Sequence, residues 1–272
     1  MRPILFQWRG LTVWSYPAML YVGLVAGVVA GNAAAHAAGM NASRAFVATL
    51  VLIVPALIGA RLFYAATHWR LYRQSPRRIW NRRDGGATMY GGLPVALLLS
   101  VPVLAALRLP FGAFWDVAAF TILVGMIFVR IGCLMNGCCS GRPSRSWVSA
   151  YLPNRMGVWD RRIPTQCLEA GWAGVLLVCA ITVWRWLPFP GALFLVVTAG
   201  YASGRLVLES TREPQPGATR FTIHHAISVV LVVVSLSVLT VCWPRKVRED
   251  SSTKQTVHQA WDSCRGRWAR LM

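Results

Sequence analysis

Seven long runs of apolar residues divide the chain, and polar, arginine-rich segments separate them. A membrane-spanning helix needs roughly 20 apolar residues. The pattern therefore predicts an all-α polytopic membrane protein with about seven transmembrane helices and a small loop region on one face. We expect residues 1–243 to form one transmembrane domain, and residues 244–272 to form a basic polar C-terminal tail. The predicted spans cover about residues 16–38, 46–67, 93–107, 113–129, 167–187, 192–208 and 223–241.

Two of the connections between the spans have a distinctive composition or length. The basic loop 68–90 ends in a glycine-rich stretch, which favours either a tight, non-helical approach to a site or a plain surface turn. The connection 131–165 is the longest, and loops of that length are either functional or disordered. Trp147 and Tyr151 within it favour an ordered strand or an interfacial arm.

Composition supports the membrane assignment and limits the partners. Of the residues, 56% are hydrophobic and 14% are charged, whereas a soluble domain carries about 25% charged residues. The formal net charge is +19, with only 9 acidic residues. Because the arginines lie between apolar runs and no nucleic-acid-reading module accompanies them, we expect the lipid bilayer and its anionic head groups as partners, and no nucleic acid.

The arginines predict the orientation ambiguously. They are densest in the lead-in and in the loops after spans two, four and six, which the positive-inside rule places in the cytoplasm. The tail, on the opposite side of a seven-span protein, is also basic and predicts the reverse.

The segment 129–142 follows the fourth span and reads Val-Arg-Ile-Gly-Cys-Leu-Met-Asn-Gly-Cys-Cys-Ser-Gly-Arg. It places Arg130 at the edge of an apolar run, where a guanidinium group is suited to bind phosphate oxygens. Gly132, Gly137 and Gly141 allow sharp turns or a close approach to a ligand. This segment is the strongest candidate for a site.

Two other spans also carry arginine. Tyr201 and Arg205, four residues apart near the end of the sixth span, lie on one helical face. Arg61 lies near the end of the second span. An arginine at membrane depth is expensive, so Arg61 indicates either a paired functional group or a side chain that reaches the interface.

Together these motifs resemble the prolipoprotein diacylglyceryl transferases of bacteria, over about residues 14–240. The strongest matches are Arg130-Ile-Gly-Cys-Leu-Met-Asn136-Gly137 with Gly141-Arg142, and Gly200-Tyr201-Ala-Ser-Gly-Arg205 with Glu209 and Arg212-Glu213-Pro214. Weaker matches, in the family's order, are Tyr16, Gly59-Ala-Arg61, Asp84-Gly-Gly with Gly91-Gly92-Leu93, and Pro164-Thr-Gln166 with Glu169.

The resemblance implies seven transmembrane helices in the bacterial inner membrane, with the active face and the N-terminus on the periplasmic side and the tail inside. It implies transfer of a diacylglyceryl group from phosphatidylglycerol to the lipobox cysteine thiol of a prolipoprotein, with release of glycerol phosphate. Phosphatidylglycerol and the prolipoprotein are then the substrates. No organic cofactor and no metal is implied.

The resemblance also implies roles for named residues. Arg130 and Arg205 are expected to hold the phosphate, and Tyr201 to hydrogen-bond the phosphate or polarise the glycerol oxygen. Tyr90 is expected to act as a hydrogen-bond donor, since a tyrosine pKa of ~10 makes a poor base. Asn136 and Glu209 are expected to orient the arginines. The expected substrate-binding residues are Tyr16, Arg61, Gly91, Gly92, Gly132, Cys133, Asn136, Gly137, Cys138, Gly141, Arg142 and Glu209.

Simpler alternatives accompany these roles. Head-group anchoring without catalysis is the simpler explanation of the arginines, and an aromatic belt at the interface is that of Tyr201 and Tyr16. His224 and His225, which open the seventh span, are expected to be interfacial residues rather than a base.

Three positions depart from the family pattern. Where the family has His-Gly-Gly this chain has Tyr90-Gly91-Gly92, and an asparagine and a glutamate of the family are replaced by Cys133 and Cys138. The fold expectation is unaffected by these changes. They keep two other functions open: a divergent lipid-group transferase with another acceptor, and a non-catalytic lipid-binding or redox-responsive membrane protein.

The cysteines of this segment allow several interpretations. The spacing Cys-x4-Cys-Cys, with no histidine beside it, is not typical of a zinc site, so no metal ligand is assigned. The alternatives are small packing residues under an arginine, a disulfide of Cys133 with Cys138 or Cys139, or a catalytic thiol activated by Arg130 and Arg142.

Overall fold

The computed structural model describes residues 4–9, 11–73, 79, 89–154, 157–213 and 223–249. Its helices are α1 Ser15–Ala37, α2 Ala42–Thr67, α3 Trp69–Tyr72, α4 Met89–Leu107, α5 Phe111–Asn136, α6 Thr165–Val183, α7 Ala192–Glu209 and α8 Ile223–Glu249. Four short strands form two antiparallel hairpins, β1 Ile4–Trp8 with β2 Leu11–Trp14, and β3 Ala150–Pro153 with β4 Trp159–Arg162.

Seven of these helices are long and apolar enough to cross a membrane, namely all except the short α3. The predicted polytopic membrane fold is thus confirmed. The hairpin of β3 and β4 also confirms the ordered piece expected in the longest connection. Parts of the predicted basic loop and tail, residues 74–78, 80–88 and 250–272, lie outside the described residues.

Several predicted helix boundaries were wrong, and two of them lie next to candidate site residues. α5 continues to Asn136 instead of ending near residue 129, and α4 begins at Met89 instead of residue 93. Hydropathy falls at Arg130, but arginine is a good helix former, so the helix does not stop there. It stops where Gly137 adopts the left-handed conformation, with φ 71°. The glycine-rich stretch around Gly91 is therefore helical, not an extended approach to a site.

Small residues allow the helices to pack closely. A Cβ atom at Gly27 of α1 would lie 2.6 Å from the carbonyl oxygen of Thr121 in α5, and one at Gly91 of α4 would lie 2.4 Å from that of Gly59 in α2. These pairs, α1 with α5 and α2 with α4, make the most extensive helix contacts of the described chain. The contacts fix the positions of the two helix ends that carry Arg130 and Tyr90.

Because successive spans alternate in direction, the same end of the bundle receives the start of α1, α4, α6 and α8 and the end of α2, α5 and α7. The segment after α5 forms backbone bridges at this end of the bundle. Gly141 forms an antiparallel bridge with Arg212, just after α7, and Pro143 forms one with Arg162, at the end of β4. The motifs that are far apart in the sequence thereby meet.

Candidate active site

A buried carboxylate, Glu169 near the start of α6, lies among three arginines from separate parts of the chain. Nε of Arg130 lies 2.7 Å from Oε2 of Glu169, and Nη2 of Arg212 lies 2.8 Å from Oε1. Arg205 donates a short hydrogen bond from Nη1 to the same Oε1. Each arginine is largely withdrawn from solvent, so the carboxylate fixes all three guanidinium groups in place.

A second carboxylate supports this cluster. Oε2 of Glu209 lies 2.9 Å from Nη2 of Arg205 and 3.6 Å from Nε of Arg212. Glu209 thus has the contacts expected of a residue that orients arginines. Three guanidinium groups share two carboxylates in this arginine cluster (Arg130, Glu169, Arg205, Glu209 and Arg212), so one positive charge is in surplus. Such a surplus, held by planar donors, suits a singly charged phosphodiester.

Two tyrosines lie near the cluster. Tyr201 of α7 is within electrostatic range of Arg130, Arg205 and Tyr90. The hydroxyl of Tyr90, at the start of α4, lies 3.2 Å from Oγ of Ser228 in α8. The structure therefore brings together all four residues predicted to be catalytic.

An apolar cavity of about 280 Å³ opens beside Tyr201. Residues of α2, α4, α5 and α7 line it, and Leu231 of α8 closes part of the wall. Almost all of the lining is hydrocarbon, including Leu52, Ala96 and Val197. Tyr201 belongs both to this lining and to the surroundings of the arginines, so a ligand with an apolar body and an anionic head fits the space.

Three thiols also lie near Arg130. The sulfur atoms of Cys133, Cys138 and Cys139 are all within 4.8 Å of one another, and these cysteines are free. Hydrogen bonds from the other two thiols are the main reason that the pKa of Cys139 lies below that of an ordinary thiol. The charges of Arg212 and Arg130 act in the same direction. The thiols are thus part of the same site as the arginines.

Several other predicted residues adjoin this site. Tyr16, at the start of α1, is within electrostatic range of Arg130 and of the three thiols. Gly132 packs against α1, since a Cβ atom there would lie 2.9 Å from Cβ of Met19. The side chain of Asn136 lies near the thiol of Cys138, and Gly137 turns the chain after it. These four residues therefore lie beside the thiols and Arg130, and their role in substrate binding stays a prediction.

The remaining predicted residues have other contacts. Nε of Arg61 donates to the carbonyl oxygen of Ile79 at 2.6 Å, and its guanidinium lies over the ring of Tyr72. The side chain of Arg142 is exposed. Arg61 therefore orders the segment after α2, and the geometry gives no support to ligand binding by Arg142.

The predicted glycines serve mainly in packing. Gly91 fits against Gly59 and Phe63, and a Cβ atom at Gly141 would lie 2.5 Å from the carbonyl oxygen of Ile163. Gly92 also packs on α2, but in addition it lines the apolar cavity. Only Gly92 among these three thus reaches a space that a ligand can occupy.

The sequence interpretation missed the central role of Glu169 and of Arg212, although both lie in matched motifs. The available signal was a carboxylate inside an apolar span, which is expensive unless it is paired. Gln166 was missed in the same way; its Nε2 donates to the carbonyl oxygen of Cys138 at 2.7 Å. Asp116, a second acidic residue within a span, accepts from the backbone N–H groups of Gly191 and Phe194 and caps α7.

The fold and the site define a multi-pass membrane protein with a cluster of largely buried arginines and an apolar cavity, linked by Tyr201. A family model described as prolipoprotein diacylglyceryl transferase matches residues 3–241. The chain belongs to the prolipoprotein diacylglyceryl transferase family.

Curated relatives agree with this assignment. The chain is 32% identical to the phosphatidylglycerol–prolipoprotein diacylglyceryl transferase of Bacillus cereus over 203 residues, which are 70% of this chain and 74% of that protein. It is 30% identical to the Bacillus cytotoxicus enzyme of the same name over the same shares. The similarity to the Clostridium tetani enzyme is 23% identity over 252 residues, 89% of this chain and 98% of that protein.

Proposed function

We propose that this protein transfers the diacylglyceryl group of phosphatidylglycerol to the lipobox cysteine thiol of prolipoproteins. The observation that carries the proposal is the arginine cluster around Glu169, which Tyr201 links to the apolar cavity because it lines the cavity and is within electrostatic range of Arg130 and Arg205. The acyl chains occupy the cavity and the surrounding bilayer. The phosphodiester lies at Arg130 and Arg205, where one positive charge is in surplus.

The chemistry follows from this placement. The acceptor thiolate attacks the glyceryl carbon that carries the phosphate, a C–S bond forms, and the C–O bond to the phosphate breaks. Negative charge grows on the departing glycerol phosphate, and fixed guanidinium donors stabilise that charge without reorganising. Tyr201, between the cavity and the arginines, is placed to donate to a phosphate oxygen.

The location of the reaction is part of the proposal. We place the protein in the bacterial inner membrane with the site facing the periplasm. The arginine density at this end of the bundle supports a role in binding head groups, which makes the positive-inside rule a poor guide to its orientation. Prolipoproteins and phosphatidylglycerol meet on that face.

The test is turnover by the purified protein in detergent, with phosphatidylglycerol labelled in its diacylglyceryl part and a lipobox peptide. We expect label on the peptide cysteine and none on a peptide with serine in its place. Arg130→Lys and Arg205→Lys keep the charge but lose the paired donors, so each is expected to lower kcat/KM by roughly 100-fold. Arg185→Ala, at an exposed position beyond α6, should leave turnover unchanged.

Other outcomes would separate the alternatives. Consumption of phosphatidylglycerol without peptide labelling would replace the proposal with a transferase that uses another acceptor, a possibility that Tyr90, Cys133 and Cys138 favour. Lipid binding without turnover would replace it with a non-catalytic lipid-binding protein.

A further inference from the structure

The three-thiol cluster of Cys133, Cys138 and Cys139 is formed by an unusual path of the backbone. Cys133 is buried in the last turn of α5, and Gly137 then reverses the chain. Cys139 itself has φ 62°, a left-handed conformation that side chains rarely adopt. Such outliers concentrate at functional sites. The result is that three sulfur atoms from seven consecutive residues converge within 4.8 Å.

Neighbouring contacts hold this path in place. The backbone N–H of Cys138 donates to the carbonyl oxygen of Cys133 at 3.1 Å. From α6, Gln166 donates to the carbonyl oxygen of Cys138, and Gln166 is fully buried. The thiols therefore belong to a built site that joins α5 to α6.

Three converging thiols are best suited to a thiophilic cation. A disulfide would use two of them and leave the third without a role, and simple packing does not require three sulfur atoms to meet. Zinc binds thiolate sulfur at about 2.3 Å, which separates ligand sulfurs by roughly 3.8 Å in tetrahedral geometry. The observed upper limit of 4.8 Å is within a small side-chain adjustment of that value.

The charges also match. Three thiolates and one divalent ion carry a net charge of minus one. Arg130 and Arg212 are within electrostatic range of Cys139. Their positive charges therefore stabilise the thiolates of the complex.

We propose that Cys133, Cys138 and Cys139 bind one thiophilic divalent metal ion, zinc by preference, and that its fourth position takes the acceptor thiol. The role of the fourth position rests on the proposed function. Three protein ligands with one open position are typical of catalytic zinc sites, whereas structural sites fill all four positions.

The step balances without an oxidant or a reductant. On binding to the metal, the acceptor thiol releases its proton to water, because a metal-bound thiol is deprotonated. The sulfur's electron pair forms the C–S bond to the glyceryl carbon, and the electrons of the breaking C–O bond remain on the phosphate oxygen. The product is a neutral thioether, which is a weaker ligand than a thiolate and leaves the metal.

The metal would also account for the missing base. The position that carries histidine in the family pattern is Tyr90 here, and tyrosine is a poor base at neutral pH. A metal that deprotonates the acceptor thiol removes the need for a basic side chain.

Binding is tested first, on the full-length, reduced protein in detergent. Cadmium titration is followed by the ultraviolet sulfur-to-cadmium charge-transfer band, and bound zinc by elemental analysis. We expect one ion per chain. Cys133→Ser, Cys138→Ser and Cys139→Ser should each weaken binding by more than the roughly 10- to 100-fold that loss of an outer-shell partner costs. Cys179→Ser, at an exposed position on α6, is the matched control and should bind as the unmodified protein does.

Binding of the acceptor thiol at the open metal position is measured separately, on the unmodified protein. A lipobox peptide added to the cadmium form should strengthen the charge-transfer band as a fourth thiolate binds, and the serine peptide should not. A band that fails to saturate at one equivalent, or that survives all three serine variants, would overturn the site. So would a reduced protein that takes up no metal and oxidises in air to a disulfide within the cluster.

Turnover measurements distinguish the proposed role of the metal from the proposed transferase function. Chelation should abolish transfer and zinc should restore it, with the zinc content measured in the same samples. Full transfer by the metal-free protein would overturn the metal's role and leave the proposed function intact. A metal-loaded protein that binds the peptide but transfers nothing would instead contradict the proposed function and the catalytic role of the ion.

Discussion

Glu169 is the residue on which the arrangement of the arginines depends. It contacts Arg130, Arg205 and Arg212, which come from two spans and the segment after α7. Without its charge, three buried guanidinium groups would repel one another with only Glu209 left to balance them. The carboxylate thus has a structural role in the fold and a positioning role in the site.

We predict that Glu169→Gln, which keeps the side-chain volume but removes the charge, lowers the free energy of unfolding by about 3–5 kcal/mol, the usual cost of breaking a buried ion pair. Thermal unfolding in detergent measures it. Asp160→Asn, at an exposed position of β4, is the control and should change stability by less than about 0.5 kcal/mol. Equal stability of the two variants would show that the arginines do not need Glu169.

The contact of α1 with α5 determines where Tyr16 lies relative to Arg130. Gly23, Gly27 and Gly31 recur at every fourth residue of α1 and face α5. This spacing places the small residues on one stripe, so the two backbones come close along their length. The sequence showed an α1 rich in glycine and alanine, but it did not show which helix would be its neighbour.

Gly27→Ala is predicted to destabilise the protein, because the added Cβ atom would lie 2.6 Å from the carbonyl oxygen of Thr121. Overpacking of this kind costs about 1–3 kcal/mol. Gly171→Ala is the matched change, since a Cβ atom there meets nothing within 4 Å, and it should be neutral or slightly stabilising. The comparison of the two melting temperatures tests the helix contact, and a neutral Gly27→Ala would contradict it.

The apolar cavity connects the helices of the bundle to the site. Its lining comes from five helices, so the cavity exists only when all of them are assembled. An acyl chain in this space would lie beside Tyr201 with its head group at the arginines. The shape of the assembled bundle therefore determines which lipids can present a phosphate to Arg130.

Ala118→Phe, which adds a ring to the cavity wall, should lower kcat/KM for long-chain phosphatidylglycerol roughly tenfold, mainly through a higher KM, as expected from an overpacking cost of about 1–3 kcal/mol. A short-chain substrate should be affected less. Leu99→Phe, on the exposed surface of α4, is the control. The same loss in both variants would argue against lipid binding in the cavity.

An odd number of spans places the two ends of the protein on opposite sides of the membrane. With the site on the periplasmic face, we expect alkaline phosphatase fused after Glu249 to be inactive and green fluorescent protein fused there to be fluorescent. A phosphatase fusion after Ser144, in the connection that follows α5, should be active. The reverse pattern would invert the proposed orientation.

The sequence by itself determined the number of spans, the class of protein and most of the residues that carry charge at the site. Apolar runs, and arginines at their ends, are local features that do not depend on what packs against them. The same locality explains the wrong end predicted for α5: hydropathy falls at Arg130, whereas the helix ends only where Gly137 changes the backbone conformation.

Only the tertiary structure decided which groups meet. Glu169 and Arg205 are 36 residues apart, and their contact depends on how α6 packs beside α7. The convergence of three thiols required the left-handed residues after α5, which the Cys-x4-Cys-Cys spacing does not reveal. Gly91, which was predicted to contact a ligand, instead packs against Gly59 and Phe63 of α2. Distances across a fold depend on every helix between the two residues, and no local pattern contains them.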